Sequence, residues 1–230
     1  MDIKTTAKKG RDSLQQGIYV AINPLVRLMI KIGITPNMVT TIGMLGNLAA
    51  AVVFVIAGVK AGAEGAIDYS LVTWGGALII GFSLFDMLDG QVARLGNMVS
   101  TFGAMYDSVL DRYCEMFTLG GISYYFLCSG NTAAALITYL AIVGSIMVSY
   151  VRARAEGLGL ECKIGFMQRP ERVVVTAVCA LATGILGQNG VEWANTVLMA
   201  GMLVIAVFAN ITAFARIGHS KAELRKQNRK

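Results

Sequence analysis

Long runs of apolar residues, separated by short polar stretches, dominate this sequence. Each run is far longer than a strand and approaches the roughly 20 residues that a helix needs to cross the hydrocarbon core of a bilayer. The pattern therefore predicts an all-α integral membrane protein with six transmembrane helices. Their predicted extents are 39–59, 71–88, 101–127, 132–155, 170–186 and 194–217.

The segment before the first run is amphipathic. Between Ile18 and Gly33, apolar residues mix with Arg27 and Lys31, so the segment is too charged to span the bilayer. We expect an interfacial helix here, with an ordinary connecting segment as the alternative. No apolar run followed by a small-residue cleavage site precedes it, so we expect no signal peptide. The whole chain is then one membrane domain, divided into a cytoplasmic or interfacial segment, a six-helix bundle and a basic tail at 1–33, 34–217 and 218–230.

The predicted helices are separated by recognisable boundary signals. Pro36 and Asn37 predict the start of the first spanning helix, with proline in the first turn and asparagine as its cap. A polar loop is predicted from Lys60 to Tyr69, and a connector from Gln91 to Ser100.

The charges are few and unevenly placed. Of 230 residues, 55% are hydrophobic and 15% charged, with 20 Lys and Arg and a net charge of +6. Only Lys60 falls in the predicted loops on one side of the membrane, so the positive-inside rule places both termini in the cytoplasm. This predicts a multi-pass protein of the inner (plasma) membrane. The positive charge then favours anionic membrane lipids rather than nucleic acid.

Four aspartates interrupt this apolar pattern: Asp86, Asp89, Asp107 and Asp111. On helices, spacings of three and four residues place each pair on one face. Carboxylates within membrane segments are costly and usually functional. A cluster of oxygen ligands suits a hard cation such as Mg²⁺, Mn²⁺ or Ca²⁺, and the alternative is a structural carboxylate network.

Small and cationic residues lie between the two acidic pairs. Gly90 follows the second acid and permits close approach of a ligand to the backbone, and Ala93 is also small. Arg94 supplies a guanidinium group that suits phosphate oxygens. Metal-binding acids beside a phosphate-binding cation indicate phosphoryl-transfer chemistry on a diphosphate.

These positions form the pattern D-x2-D-G-x2-A-R-x8-G-x3-D-x3-D, which resembles the signature of the CDP-alcohol phosphotransferases, also called CDP-alcohol phosphatidyltransferases. The size and six-helix layout of the chain also resemble that family. All eight fixed positions are present, which makes the resemblance specific. They are Asp86, Asp89, Gly90, Ala93, Arg94, Gly103, Asp107 and Asp111.

A second group of charges lies between the predicted fourth and fifth helices, in SYVRARAEGLGLECKIGFMQRPER. Such cations are typical of positive-inside anchors, but clustered arginines favour recognition of a phosphate. The segments SYVRARAE and QRPER resemble the branch of the family that uses an inositol phosphate, the phosphatidylinositol-phosphate synthases. That branch commonly has lysine at the position of Arg152. The cations are Arg152, Arg154, Lys163, Arg169 and Arg172.

The resemblance implies a reaction and a set of site residues. The donor would be CDP-diacylglycerol and the acceptor an inositol phosphate, with two Mg²⁺ or Mn²⁺ ions, a site at the cytoplasmic face and a homodimer as the assembly to test. The four aspartates would bind the metal, and Asp111 would also be the catalytic base. The implied donor-binding residues are Asn37, Thr40, Gly90, Arg94 and Ser100. The implied acceptor-binding residues are Ser149, Arg152, Arg169 and Arg172.

Two alternatives stay open. The same chemistry could use another acceptor, glycerol-3-phosphate first and serine second. From a different class, a cation-coupled transporter would also place acids within helices. Transporters often show inverted repeats and helices broken at the midplane, and neither is evident in this sequence.

Overall fold

The computed structural model describes residues 22–227, which form helices and connecting turns without a strand. The first described helix, α1, covers residues 22–31. The predicted all-α class is therefore confirmed for the described residues. The other helices are α2 Pro36–Glu64, α3 Tyr69–Ser83, α4 Phe85–Leu95, α5 Thr101–Cys128, α6 Thr132–Glu156, α7 Arg169–Gln188 and α8 Ala194–Gln227.

Five helical segments of the described chain have the length and hydropathy of membrane spans. They are α2, the stretch Tyr69–Leu95 formed by α3 and α4 together, α6, α7 and α8. Their mean hydropathy lies between 1.4 and 2.3. The protein is thus a multi-pass membrane protein. Helix α5 has 28 residues and is long enough to span, but Asp107, Asp111, Arg112 and Glu115 concentrate charge in its first half.

Several predicted boundaries are wrong, and most helices are longer than their apolar runs. Helix α2 continues through Lys60 to Glu64, which shortens the predicted polar loop. Helix α4 includes Gln91–Leu95, predicted as connector, and α8 continues to Gln227 through most of the predicted basic tail. The helical hydrogen-bond ladder does not end where hydrophobicity ends, because Lys, Arg, Glu and Gln are good helix formers.

The start of α2 differs from the prediction in its cap. Pro36 begins the helix and Asn37 lies within the first turn, so Asn37 is not the cap. Instead, the Thr35 hydroxyl accepts a hydrogen bond from the Met38 backbone N–H at 3.4 Å. The side chain of Asn37 is therefore available for another role.

The chain divides into two compact units. The first comprises Met1–Met44 and Phe82–Leu110, and the second comprises Leu45–Gly81 and Asp111–Lys230. Helices α2, α3 and α5 each contribute residues to both units. Residues 1–21 and 228–230, including the start of the predicted interfacial helix at Ile18, lie outside the described part of the chain.

The first unit has a small apolar core that packs α1 against α2 and α4. Val26 and Met29 of α1 pack with Val39, Leu88 and Val92. Leu25 and Leu28 of α1, and Ile32 just after its end, are exposed. Helix α1 therefore has a buried apolar face, while its position at a membrane interface stays a prediction.

The second unit packs its helices closely through glycines. Phe54 of α2 lies over Gly75 of α3, where an added Cβ would come within 2.6 Å of the ring. Gly184 of α7 similarly faces Thr73. Small residues allow helix backbones to approach closely, which is a main source of helix association in membranes.

We expect Gly121→Ala to destabilise the protein by about 1–3 kcal/mol, the usual cost of overpacking a close contact. A Cβ at Gly121 would lie 2.7 Å from the Ala51 carbonyl oxygen, and this backbone cannot move aside easily. The neighbouring Gly120 has no atom within 4 Å of the corresponding position. Gly120→Ala is therefore the matched control, and thermal unfolding in detergent should leave it unchanged or slightly stabilised. Equal melting temperatures for the two variants would contradict the packing shown here.

Candidate active site

A pocket in the first unit, here called the acidic pocket, contains two of the predicted metal ligands. Its volume is about 410 Å³, and helices α2, α4 and α5 supply most of its walls. Asp89 and Asp107 line it, together with all five residues implied to bind the donor. These are Asn37, Thr40, Gly90, Arg94 and Ser100.

Asp86 and Asp107 bring carboxylate oxygens from α4 and α5 within 4.8 Å of each other. Both side chains are partly accessible. An oxygen-only donor set at this separation fits a hard divalent cation such as Mg²⁺ or Mn²⁺. Asp111 follows Asp107 by one helical turn on α5, and it is buried.

Asp89 is held differently from Asp86. Its carboxylate accepts a hydrogen bond of 2.7 Å from the Thr40 hydroxyl, and it is 6% exposed. Asp89 lies outside the group of carboxylates whose oxygens come within 4.8 Å of one another. The two acids of α4 are therefore not equivalent, although their spacing in the sequence does not distinguish them. The metal-binding role of Asp89 stays a prediction.

The glycines of the signature are positions where neighbouring polar side chains lie against the backbone. At Gly90, an added Cβ would be 3.4 Å from a terminal nitrogen of Arg94. At Gly103, it would be 3.0 Å from the Ser100 hydroxyl and 3.4 Å from the Asn37 side-chain oxygen. Ser100 also accepts a hydrogen bond from the Gly103 N–H at 2.9 Å, which caps α5. The small residues thus let the polar groups of the acidic pocket approach one another.

A second pocket, here called the arginine pocket, lies in the second unit. Its volume is about 250 Å³, and it contains all four residues implied to bind the acceptor. Asp111 lines it as well, so the predicted base and the predicted acceptor residues share one cavity. Its polar lining consists of Asp111, Arg112, Ser149, Arg152, Gln168, Arg169, Arg172 and Arg216.

Asp111 faces two arginines in this pocket. Arg169 forms a salt bridge of 2.8 Å with one carboxylate oxygen, and Arg112 lies 3.5 Å from the other. Arg152, one turn before the end of α6, forms a salt bridge of 2.8 Å with Glu156, and both side chains are partly exposed. The arginine pocket is therefore strongly cationic, with Asp111 as the carboxylate within it.

Arg172 has a different environment from the other predicted acceptor residues. It is 2% exposed, and its guanidinium binds both carboxylate oxygens of Glu115, at 2.5 and 2.9 Å. Its third nitrogen donates to the Met167 carbonyl at 3.0 Å. A guanidinium held by this bidentate pair is committed to the protein. Sequence analysis missed Glu115, although it lies one turn after Asp111 on the same face of α5.

Arg216 also lines the arginine pocket and was not predicted. This α8 residue is 2% exposed and donates to the carbonyl oxygens of Val148 and Ile164, at 2.6 and 2.8 Å. It thereby ties the end of α6 and the loop before α7 to α8. The sequence did contain a signal for Arg216, because a charged residue inside an apolar run, next to the last residue of the predicted span, is unusual.

The chain matches the model of the CDP-alcohol phosphatidyltransferase family over residues 33–211. It therefore belongs to this family of membrane-bound transferases. Curated relatives include the phosphatidylinositol phosphate synthase of Mycobacteroides abscessus, 31% identical over 85% of this chain and 81% of the relative. The enzyme of the same name from Corynebacterium glutamicum is 30% identical over 82% of this chain and 81% of the relative.

Solved structures show the same similarity. The phosphatidylinositol phosphate synthase of Mycobacterium tuberculosis in complex with manganese and citrate matches with a TM-score of 0.73 at 30% identity, covering 86% of this chain and 87% of the neighbour. The structure of that enzyme with CDP-DAG bound matches with a TM-score of 0.71 at 29% identity, covering 86% and 92%.

Proposed function

We propose that this protein transfers the phosphatidyl group of CDP-diacylglycerol to an inositol phosphate, in a reaction that depends on a divalent metal and produces phosphatidylinositol phosphate and CMP. The observation that carries the choice of acceptor is the arginine pocket. One cavity contains both Asp111 and several arginines, which suits an acceptor that carries a hydroxyl group and a phosphate. The named relatives support the same reaction.

The reaction balances as a single displacement. The acceptor hydroxyl oxygen attacks the phosphorus that carries the diacylglycerol, and the bond from this phosphorus to the oxygen bridging to CMP breaks. CMP leaves with that electron pair. Asp111 accepts the proton of the attacking hydroxyl, and a positioned base of this kind contributes about 10²–10⁴-fold.

The proposed metal site uses the carboxylates of α4 and α5. Asp86 and Asp107 would hold the ion, and Asp111 and Asp89 would complete the set of ligands. A divalent ion bound there supplies charge stabilisation for the diphosphate and for the leaving CMP. Carboxylates without histidine or cysteine fit Mg²⁺ or Mn²⁺, which matches the manganese complex of the structural neighbour.

The acidic pocket is the proposed donor site. Arg94 provides a cation for the diphosphate, while Asn37, Thr40 and Ser100 provide hydrogen-bonding groups. Met98 and Val99 add apolar walls that sequence analysis did not predict. Such a mixture suits a nucleotide diphosphate that is attached to a lipid.

The acceptor site combines mobile and fixed cations. Arg169 and Arg152 are partly exposed and can exchange their carboxylate partners for a substrate phosphate. Ser149 provides a hydroxyl group beside them. Arg172 contributes indirectly, because its contacts with Glu115 and Met167 hold α5 and the start of α7 in place.

Arg169→Ala should raise the KM for the inositol phosphate by about 10-fold to 100-fold, since a charge-assisted hydrogen bond contributes about 1.5–3 kcal/mol. The KM for CDP-diacylglycerol should change less. Arg154→Ala is the control, because this residue of α6 is exposed and lies outside the arginine pocket. Steady-state kinetics with each substrate varied in turn measures both constants. A larger change in the donor KM would remove Arg169 from the acceptor site.

We also propose that α5 spans the membrane, which brings the number of spans to six. Both termini then face the cytoplasm of the cell, and the site lies at that face of its plasma membrane. In cysteine-free protein, Ala66→Cys in the loop after α2 should react with an impermeant thiol reagent added outside intact cells. Leu158→Cys, after α6, should react only after the membrane is opened. Reaction of both from outside would rule out this topology.

Other acceptors remain the rival within the family, with glycerol-3-phosphate and serine as the specific cases. Purified protein should release CMP from CDP-diacylglycerol fastest with inositol phosphate among these three. A faster reaction with glycerol-3-phosphate or serine would reassign the acceptor. Cation transport without metal-dependent CMP release would instead support the transporter alternative.

A further inference from the structure

A groove lies between the C-terminal halves of α6 and α8, within the second unit. Its volume is about 510 Å³. Its walls are predominantly apolar, with Met147, Val151 and Leu158 on the α6 side and Ile217 and Leu224 on the α8 side. An open apolar groove of this size is in the range of sites that hold a substantial ligand.

Three cationic side chains line this groove. Arg154 comes from α6, and Lys221 and Arg225 come from α8. All three are exposed, and no carboxylate of the described residues 22–227 lines the groove. Glu156 and Glu223, the acids nearest to them in sequence, are paired with Arg152 and Lys226 instead. The groove therefore combines an apolar surface with uncompensated positive charge.

The apolar surface continues from the groove along α6. Leu136 and Leu140 are exposed and precede Met147 and Arg154 at spacings that keep them on one helical face. Since α6 has the length and hydropathy of a membrane span, we expect this exposed stripe to face the hydrocarbon of the bilayer.

Helix α8 has a matching stripe. Leu203, Val207 and Phe214 are exposed and precede Ile217 and Lys221 on the same helical face. Both stripes end among cations, where the groove lies. A molecule with a long apolar part and an anionic end fits this arrangement.

Tyr150 marks the depth of the groove. It lines the groove from α6 and is 59% exposed. Tyrosine is enriched where the hydrocarbon meets the headgroups, because its ring is apolar and its hydroxyl is polar. We therefore expect Arg154, one turn beyond Tyr150 on α6, and the two α8 cations that line the same groove to lie at headgroup level.

We propose that this groove binds an anionic phospholipid of the surrounding bilayer, with an acyl chain along the apolar walls and the headgroup phosphate beside Arg154, Lys221 and Arg225. A soluble anion would gain nothing from the apolar walls, and a zwitterionic lipid would gain little from the cations. The site is separate from the chemistry, because none of these three cations lines the acidic pocket or the arginine pocket.

The test is a titration of the purified protein in nonionic detergent with dioleoylphosphatidylglycerol or dioleoylphosphatidylcholine, followed by native mass spectrometry. The anionic lipid should bind more tightly than the zwitterionic one. Arg225→Gln should weaken binding of the anionic lipid about five-fold, the effect expected of one cation near an anionic lipid. The triple variant R154Q/K221Q/R225Q should lose the preference for the anionic lipid.

Lys226→Gln is the matched control. It removes the same charge at the adjacent position, but Lys226 pairs with Glu223 and does not line the groove. Lipid binding to this variant should equal that of the unmodified protein. Equal binding of the two lipids, or equal effects of Arg225→Gln and Lys226→Gln, would overturn the proposal.

A second copy of the chain is the competing occupant. Leu224→Cys, introduced into cysteine-free protein, tests for it by disulfide formation in native membranes. A lipid-filled groove predicts no crosslinked dimer through this position. Efficient crosslinking would show that the groove is an interface between copies and would likewise overturn the lipid site.

Discussion

Asp111→Asn is expected to reduce CMP release by about 10²–10⁴-fold, because the variant cannot accept the proton of the acceptor hydroxyl. Asparagine keeps the size of the side chain and one oxygen that Arg169 can contact. Binding of CDP-diacylglycerol should persist, since the acidic pocket does not include this residue and asparagine retains one oxygen for the proposed metal. Single-turnover CMP release and binding of the labelled donor measure the two properties separately.

Asp68→Asn is the control for this substitution. It makes the same chemical change in a carboxylate that pairs with Lys60 at 2.9 Å and lines neither functional pocket. The hydrogen bond from Lys60 holds the pKa of Asp68 below its ordinary value. Turnover of this variant should be close to normal. Normal turnover in Asp111→Asn as well would remove Asp111 from the base role.

Arg172→Met is expected to lower the free energy of unfolding by about 3–5 kcal/mol, because it leaves the carboxylate of Glu115 without its buried counter-charge. The side chains of Arg172 and Glu115 are 2% and 7% exposed, so water cannot replace the lost partner readily. The melting temperature in detergent should fall strongly. This expectation differs from that for Arg169→Ala, whose main effect should be on the acceptor KM.

The double variant Glu115→Leu with Arg172→Met separates stability from binding. Removing both charges avoids an isolated buried carboxylate, so most of the lost stability should return. Direct binding of the acceptor phosphate by Arg172 predicts the opposite pattern: normal melting in the single variant and a raised acceptor KM in both. That pattern would contradict the positioning role derived from the contacts with Glu115.

The membrane spans were predictable because their signal is local. Each apolar run specifies its helix without reference to the rest of the chain, so α6 and α7 begin within one residue of the predicted starts. The errors at Glu64, Leu95 and Gln227 have one cause. Hydropathy locates the bilayer segment, whereas a helix continues through polar residues of good helix propensity until its hydrogen bonding is capped.

The acidic pocket was largely accessible from sequence because its residues belong to a spaced pattern. Asp89, Arg94 and Asp107 lie on helices whose periodicity sets the direction of their side chains. The distinction between Asp86 and Asp89 was not accessible. It depends on the Thr40 hydroxyl, 49 residues away in sequence, and tertiary packing brings that group to Asp89.

For the arginine pocket, the sequence did not predict which arginines are accessible to a substrate. Sequence analysis grouped Arg169 and Arg172 because both are cations in QRPER. In the structure, Arg169 is partly accessible beside Asp111, whereas Arg172 is buried and pairs with Glu115. Residue type predicts that an arginine can bind phosphate, but only burial and contacts determine whether it is committed elsewhere.

We propose that phosphatidyl transfer by this protein depends on a divalent metal, on the carboxylates of α4 and α5, and on the arginine pocket. The most direct measurement incubates purified protein with CDP-diacylglycerol and labelled inositol phosphate, with Mn²⁺ or with a chelator, and quantifies CMP and labelled lipid. We predict equal amounts of the two products with Mn²⁺, none with the chelator, and none from Asp107→Asn. Labelled lipid formed in the presence of the chelator, or by Asp107→Asn, would contradict the account.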